Sequence, residues 1–325
     1  MATYLILGGC GFIGRHVALA LARRGERVRL ADRSPLASPL PGVEPSLVEW
    51  LPFEMIGGDW DRLIADISVI YHCAWSSLPQ TANDDPIGDL QVNVVGSLGL
   101  LEALRRRGGG KIVFLSSGGT VYGRLTQIPV PEDHPLDPLT AYGVGKVAVE
   151  KYLHLYCALH NVDARVARLS NPFGAGQDPR HNQGAASIFL RRAMASQPLT
   201  IWGDGWVVRD YIHITDAAAG LLALADADLT AQTGPAVFNI GSGEGVSLND
   251  IVKVLRSHLG YPIEVQYAAG RPFDVPISIL DITRARQVLG WAPHLSFAEG
   301  IDRTIVDLRA GAELFSSIPH NGIPA

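Results

Sequence analysis

Tyr142 and Lys146 stand four residues apart at the start of a helical pattern, so both project from one helix face. A phenol titrates near ~10 in isolation, and a cation one turn away favours its phenolate. Such a pair can serve as a general base near neutral pH and take the proton of an alcohol. The same spacing also occurs in ordinary exposed pairs. Its company decides: a Ser-bearing loop, 116–123, follows an apolar run at 111–115, and the chain opens on a glycine turn.

That turn carries Gly8, Gly9, Gly11 and Gly14 between an apolar run at 4–7 and the helical positions Val17, Leu19, Ala20 and Leu21. From Gly9 it reads G-x-G-x-x-G. Side chains here would keep a pyrophosphate away from the backbone N–H groups of a helix N-terminus, where the dipole favours an anion. A second strand, 28–32, ends on Asp32, 18 residues past Gly14. An acid there accepts from a free ribose 2′-OH and repels a 2′-phosphate, which points to NAD rather than NADP. Arg33 beside it keeps NADP as the alternative, because an arginine can hold that phosphate.

Strand and helix patterns alternate through the first half, with further strands at 47–50, 69–72, 111–115 and 162–169. This predicts an α/β fold, a Rossmann-type doubly wound parallel sheet over 1–170. A smaller C-terminal substrate-binding lobe over 171–315 follows, with part of it returning to the main sheet, and a tail over 316–325. Leu90, Val94, Leu98, Leu101 and Leu104 predict one long helix with Asn93 embedded in it, either as a satisfied core polar group or near the site. Helices are also expected at 141–160, 185–196, 216–227, 247–259 and 297–309, and a strand at 236–240.

Bulk properties narrow the function classes. The 325 residues carry a net charge of −5, and the longest basic run is Arg105 to Arg107, so nucleic acid is not an expected partner. Three scattered cysteines fit a reducing cytoplasm. The N-terminus lacks the pattern of a signal peptide, no apolar run approaches a membrane span, and the histidines show no metal-ligand spacing.

Taken together, the motifs resemble the extended short-chain dehydrogenase/reductases of the NAD-dependent sugar-nucleotide epimerase/dehydratase group. The likeness runs over nearly the whole chain, through the glycine turn, Asp32, Gly58-Asp59, Tyr142/Lys146, and the segments 168–172, 208–212, 239–243 and 271–276. It implies NAD contacts from Gly8, Gly11, Phe12, Ile13, Gly14, Asp32, Arg33, Ala74, Asn93, Tyr142, Lys146 and Pro172, with Asp59 and Trp60 flanking adenine. It also implies a UDP-sugar partner held by Ser117, Thr120, Asn171, Arg209, Arg271, Asp274 and Ser278. Arginines suit a diphosphate, although Arg209 could instead pair with Asp210. A homodimer through helices 88–107 and 141–160 is implied as well, with Leu153, Tyr156 and Cys157 as outward apolar positions.

Two departures from the family pattern sharpen the expectation. The usual hydroxyl lies four residues before the Tyr of V-Y-G, and that position is Gly118 here. Ser117 is the favoured replacement and Thr120 the other candidate. Members that eliminate water or decarboxylate carry an acid before V-Y-G, whereas this chain has Gly119 and Thr120. The expected activity is therefore 4-epimerisation of a UDP-hexose, with Ser117, Tyr142 and Lys146 as catalytic residues. The alternatives are a 4-keto sugar reductase and a nucleotide-sensing regulator. Where related epimerases of plain hexoses carry a bulky tyrosine, four residues after the Asp274 position, this chain has Ser278, leaving room for an N-acetyl group.

Overall fold

An unbroken apolar strand needs cover on both faces, and β1 (Thr3–Leu7) has it: Leu5, Ile6 and Leu7 are all buried. The structure, a computed structural model, describes residues 2–177, 184–229, 234–270 and 275–310. After β1 come α1 (Phe12–Arg23), β2 (Arg27–Asp32), β3 (Val48–Pro52), α2 (Trp60–Ile64) and β4 (Val69–His72). Next are α3 (Pro86–Asp89), α4 (Gly96–Arg107), β5 (Gly110–Ser117), α5 (Ala141–His160) and β6 (Val162–Leu169). The second half holds β7 (Asn171–Phe173), α6 (Ala185–Met194), β8 (Leu199–Trp202), β9 (Val208–His213), α7 (Ile214–Asp226) and β10 (Ala236–Ile240). It closes with β11 (Gly245–Ser247), α8 (Leu248–Leu259), β12 (Val265–Ala268), β13 (Ile277–Ser278), α9 (Thr283–Leu289) and α10 (Phe297–Arg309).

Seven strands form one parallel sheet in the order β3-β2-β1-β4-β5-β6-β10. Chain direction across the sheet reverses between β1 and β4, and such a switch point opens a crevice at the strand C-termini. β10 lies far along the chain yet pairs with β6, and α7 packs on α1, so the main layers do take segments from beyond residue 170. The smaller lobe is built on β9, which pairs with β7, β11 and β13, while β8 pairs with β12. Phe189, Leu199, Ile251, Leu255 and Ile301 fill the core of that lobe.

Three expectations are corrected here. The long helix at 90–104 is not one regular α-helix: a π-helical turn, Leu90–Val95, separates α3 from α4 and carries Asn93 on its buried side. By length and composition alone, 86–107 is apolar enough to cross a membrane, contrary to the reading of the sequence, but half of its most apolar 18-residue window is packed inside the protein. On α5 the helical phase is also different. Leu153 and Tyr156 are buried beneath the helix with Val149, Cys157 is half-buried, and the outward apolar positions are Val144, Tyr152, Leu155 and Leu159. Positions 149, 153 and 156 repeat at helical spacing toward the sheet, which leaves the second apolar stripe facing outward.

Candidate active site

The glycine turn is built by close approach. Gly8 adopts φ +71° and its N–H donates to the Ala31 carbonyl at 2.9 Å. A Cβ on Gly8 would lie 2.8 Å from the Ala74 Cα, and one on Gly14 only 2.2 Å from the Gly8 carbonyl oxygen. Gly11 caps α1 without any side-chain cap. First-turn N–H groups of α1 are thus left to water or an anion, and Gly11, Phe12, Ile13 and Gly14 line the cleft there. Asp32 ends β2 at the same mouth. Its carboxylate accepts from Cys10 N at 3.0 Å and from Arg33 N at 2.8 Å, so it is fixed against the turn, with exposed Arg33 on the rim. An uncapped helix start, a turn with no space for side chains and an anchored acid fit a dinucleotide.

Ala74 and Asn93 continue this wall. Asn93 proves to be both things the sequence allowed. Its amide accepts from Ser76 N at 2.8 Å and donates to Asp89 at 2.9 Å, and it also lines the cleft. Asp59 and Trp60, expected beside adenine, stand at the start of α2. Asp59 caps α2 by accepting from Arg62 N, and Trp60 is buried against Phe53 with ring centroids 4.6 Å apart. Phe53, Glu54, Met55 and Ile56, just past β3, line that end of the cleft.

On the opposite side, β5 runs on through Ser116 and Ser117, so Ser117 is its last residue. Ser116 borders the cleft too, but its hydroxyl is already engaged, donating to Glu150 at 2.5 Å. Ser117, Gly119, Thr120 and Tyr142 line the cleft, and the Thr120 hydroxyl is buried without a hydrogen-bond partner among the described residues. Gly118 is buried, and a Cβ there would lie 2.6 Å from Leu280 Cδ1.

The expected electrostatics of the Tyr/Lys pair are also corrected. Lys146 is buried, donates to the Leu115 carbonyl at 2.7 Å, and does not line the cleft. Its Nζ lies 3.7 Å from the centroid of the Trp75 ring and 5.6 Å from that of Tyr142. Burial brings the ammonium down to about 7. Burial, with the charge of Asp89 behind it, pushes the Tyr142 phenol above its ordinary value rather than below it.

The smaller lobe contributes Asn171, Pro172, Arg209 and Ser278 to the same cleft. Asn171 donates to the Asp210 carbonyl at 2.9 Å. Arg209 does not pair with Asp210: its guanidinium donates to the carbonyls of Val208 at 2.9 Å and Val275 at 2.6 Å. Asp210 points the other way on β9 and accepts from Ser242 N, Gly243 N and Leu280 N, tying β9 to the 240–243 loop. Ser278 pairs with Arg209 in register across β13 and β9. Arg271 and Asp274 lie outside the described residues. Among the described residues no cluster of His, Cys, Asp and Glu could hold a metal ion.

One cleft of about 1520 Å³ therefore joins the glycine turn, the Tyr142 wall and the smaller lobe. Residues 4–241 match the model of the NAD dependent epimerase/dehydratase family. The chain belongs to this family. A UDP-glucose 4-epimerase of Mycolicibacterium smegmatis is 36% identical over 310 residues, covering 93% of this chain and 96% of that protein. A dTDP-4-dehydro-6-deoxyglucose reductase of Escherichia coli is 30% identical over 312 residues, with 94% and 97% covered. The solved structure of UDP-glucose 4-epimerase from Thermotoga maritima with UDP-glucose superposes with a TM-score of 0.87 at 31% identity, covering 96% of this chain and 100% of that one. As a family member the chain is an NAD-dependent enzyme acting on nucleotide-sugars. Motif reading passes over Trp75, which lines the cleft, and over Gly145 and Leu280, which pack against the lining residues Trp75 and Gly118. Trp75 alone left a signal, since it closely follows a strand C-terminus in a parallel sheet.

Proposed function

We propose that the protein is a 4-epimerase of a UDP-hexose, either UDP-glucose/galactose or the N-acetylated forms. The observation that carries this reading is the distribution of acids. Among the described residues lining the cleft, the carboxylates are Asp32 and Glu54, both at the β2/β3 end. The wall from Ser117 to Tyr142 offers hydroxyls only, so nothing there protonates a leaving hydroxyl as a dehydration requires.

In this reading Tyr142 takes the 4-OH proton and later returns it, with Ser117 or Thr120 bridging by hydrogen bond. Asn171 and Arg209 hold the diphosphate, Arg209 being braced by its two carbonyl contacts. Ser278, small and at the wall, leaves space beside C2 of the sugar. The glycine turn, Asp32, Ala74 and Asn93 hold NAD. When bound, NAD supplies a hydride acceptor and donor for C4 and a positive charge beside the Tyr142 phenol. That charge offsets the upward push of burial, so Tyr142 becomes a base only in the loaded enzyme. The protein works as a homodimer in the cytoplasm. Likeness to the E. coli reductase favours a second reading, net reduction of a 4-keto sugar. Incubation with UDP-hexoses and no added nicotinamide separates the two.

A further inference from the structure

The Lys146 ammonium sits among partners unusual for a buried cation. Its close contacts are one carbonyl, that of Leu115 at 2.7 Å, and the faces of Trp75 at 3.7 Å and Phe114 at 4.9 Å. Among the described residues no carboxylate pairs with it. Four further titratable groups face it: Asp89 from α3, Glu150 one turn along α5, and His72 and Cys73 at the end of β4. Glu150 is committed to Arg168 at 2.7 Å, and Asp89 to Ser77 and Asn93. His72 is held uncharged by burial.

The place of the indole is prepared. A Cβ on Gly145 would lie 3.1 Å from Trp75 Cζ2, so a side chain at 145 would press on the ring. The indole N–H is buried with no hydrogen-bond partner among the described residues. The ring's orientation is therefore set by its faces and edges: Lys146 above it, Tyr142 edge-on at 5.7 Å and Phe114 at 6.2 Å. Trp75 lines the cleft and Lys146 does not.

We propose that Trp75 is a positioning residue for the reaction: its indole face holds the Lys146 ammonium charged behind the cleft wall, beside Tyr142, and Gly145 is the position that admits the ring. The inference rests on the reading of Tyr142 and Lys146 as the proton-handling pair. An ammonium removed from water is stabilised by the negative face of an aromatic ring, most strongly by tryptophan.

The test uses the NAD-loaded protein and the variants W75L, W75F, K146M and W75L/K146M. W75L lowers kcat for the UDP-hexose about tenfold at neutral pH with KM little changed, and W75F recovers most of that loss because a ring face remains. In the K146M background W75L costs nothing further, since the cation it acts through is gone. A second readout needs no sugar. Tryptophan emission of the unmutated protein shifts as pH rises through the range, below that of an ordinary lysine, in which Lys146 loses its proton, and this transition is absent from K146M and from W75F. An emission transition that persists in K146M, or a W75L loss of equal size in both backgrounds, overturns the proposal and leaves Trp75 a packing residue. If W75L does not fold, emission of the unmutated protein, K146M and W75F decides. If UDP-hexoses are not the substrates, the emission arm still decides.

Discussion

Leu280 occupies the space that a side chain at Gly118 would need, with Cδ1 2.6 Å and Cδ2 2.9 Å from the position of a Cβ. The two residues are 162 positions apart and meet because Val130 bridges to Leu280 beneath the loop after β5. A side chain bearing a hydroxyl here would require Leu280 to shift, with the Arg168 carbonyl oxygen 3.1 Å away as well. Gly118→Ser is expected to destabilise the protein by about 1–3 kcal/mol through overpacking, and Leu280→Ala in the same chain to recover part of it. Denaturant unfolding of the two variants measures this.

The bridging hydroxyl then falls to Ser117 or Thr120. Ser117→Ala is expected to cut turnover tenfold or more, on the order of a lost proton relay, and Thr120→Val to cost much less. Steady-state rates rank them. The reverse ranking would move the role to Thr120, whose hydroxyl is buried without a partner among the described residues.

Asp32 is anchored by two backbone N–H groups and remains able to accept from a ribose hydroxyl. NAD is expected to bind at least about tenfold more tightly than NADP, the scale of a charge-assisted hydrogen bond, and Asp32→Ala to narrow the gap. Titration with both nucleotides checks it. Equal affinities in the unmutated protein would make Arg33 the residue that reads the cofactor.

Burial of Lys146 has a consequence for stability against pH. Its folded value, about 7, lies below the ordinary lysine value of 10.5, so between the two the unfolded chain holds a proton that the folded protein does not. Stability from this group therefore rises with pH across that window, and the cost of the buried charge is fully present below about 7. Lys146→Met is expected to gain stability relative to the unmutated protein at about pH 6 and to lose that advantage toward about pH 10. Unfolding curves at the two pH values decide; a difference that does not change with pH would mean Lys146 titrates as an exposed lysine.

α5, with its outward stripe Val144, Tyr152, Leu155 and Leu159, packs beside the segment around the π turn, which exposes Ile87, Leu90 and Val95. Apolar stripes on two neighbouring helices suit a twofold four-helix contact. The protein is expected to sediment as a dimer, and Leu155→Glu with Leu159→Glu to release monomers. A monomer at micromolar concentration without mutation would remove this assembly.

Much of this architecture is legible in the sequence, and the reasons differ from part to part. β1, β4 and α5 declare themselves because a strand covered on both faces must be wholly apolar and because Thr140 caps α5. The phase of α5 does not declare itself: both of its faces are apolar, so no polar stripe says which side meets the sheet. The π turn at Leu90–Val95 shifts the register in a way that periodicity cannot reveal. The Trp60 motif does not say that its ring is buried against Phe53. Gly118–Leu280 and Trp75–Gly145 are contacts between distant segments. No local pattern encodes them, and both bear on the chemistry.

The most direct measurement is product analysis after incubating the purified, NAD-loaded protein with UDP-glucose and with UDP-N-acetylglucosamine, adding no nicotinamide. A 4-epimerase regenerates its cofactor in every cycle. The account predicts many turnovers to a mixture of the substrate and its 4-epimer, with the N-acetylated sugar converted at least comparably because Ser278 leaves room for it. Absence of any epimer, together with stoichiometric consumption of NADH or NADPH when a 4-keto nucleotide-sugar is supplied, would contradict it and establish a reductase.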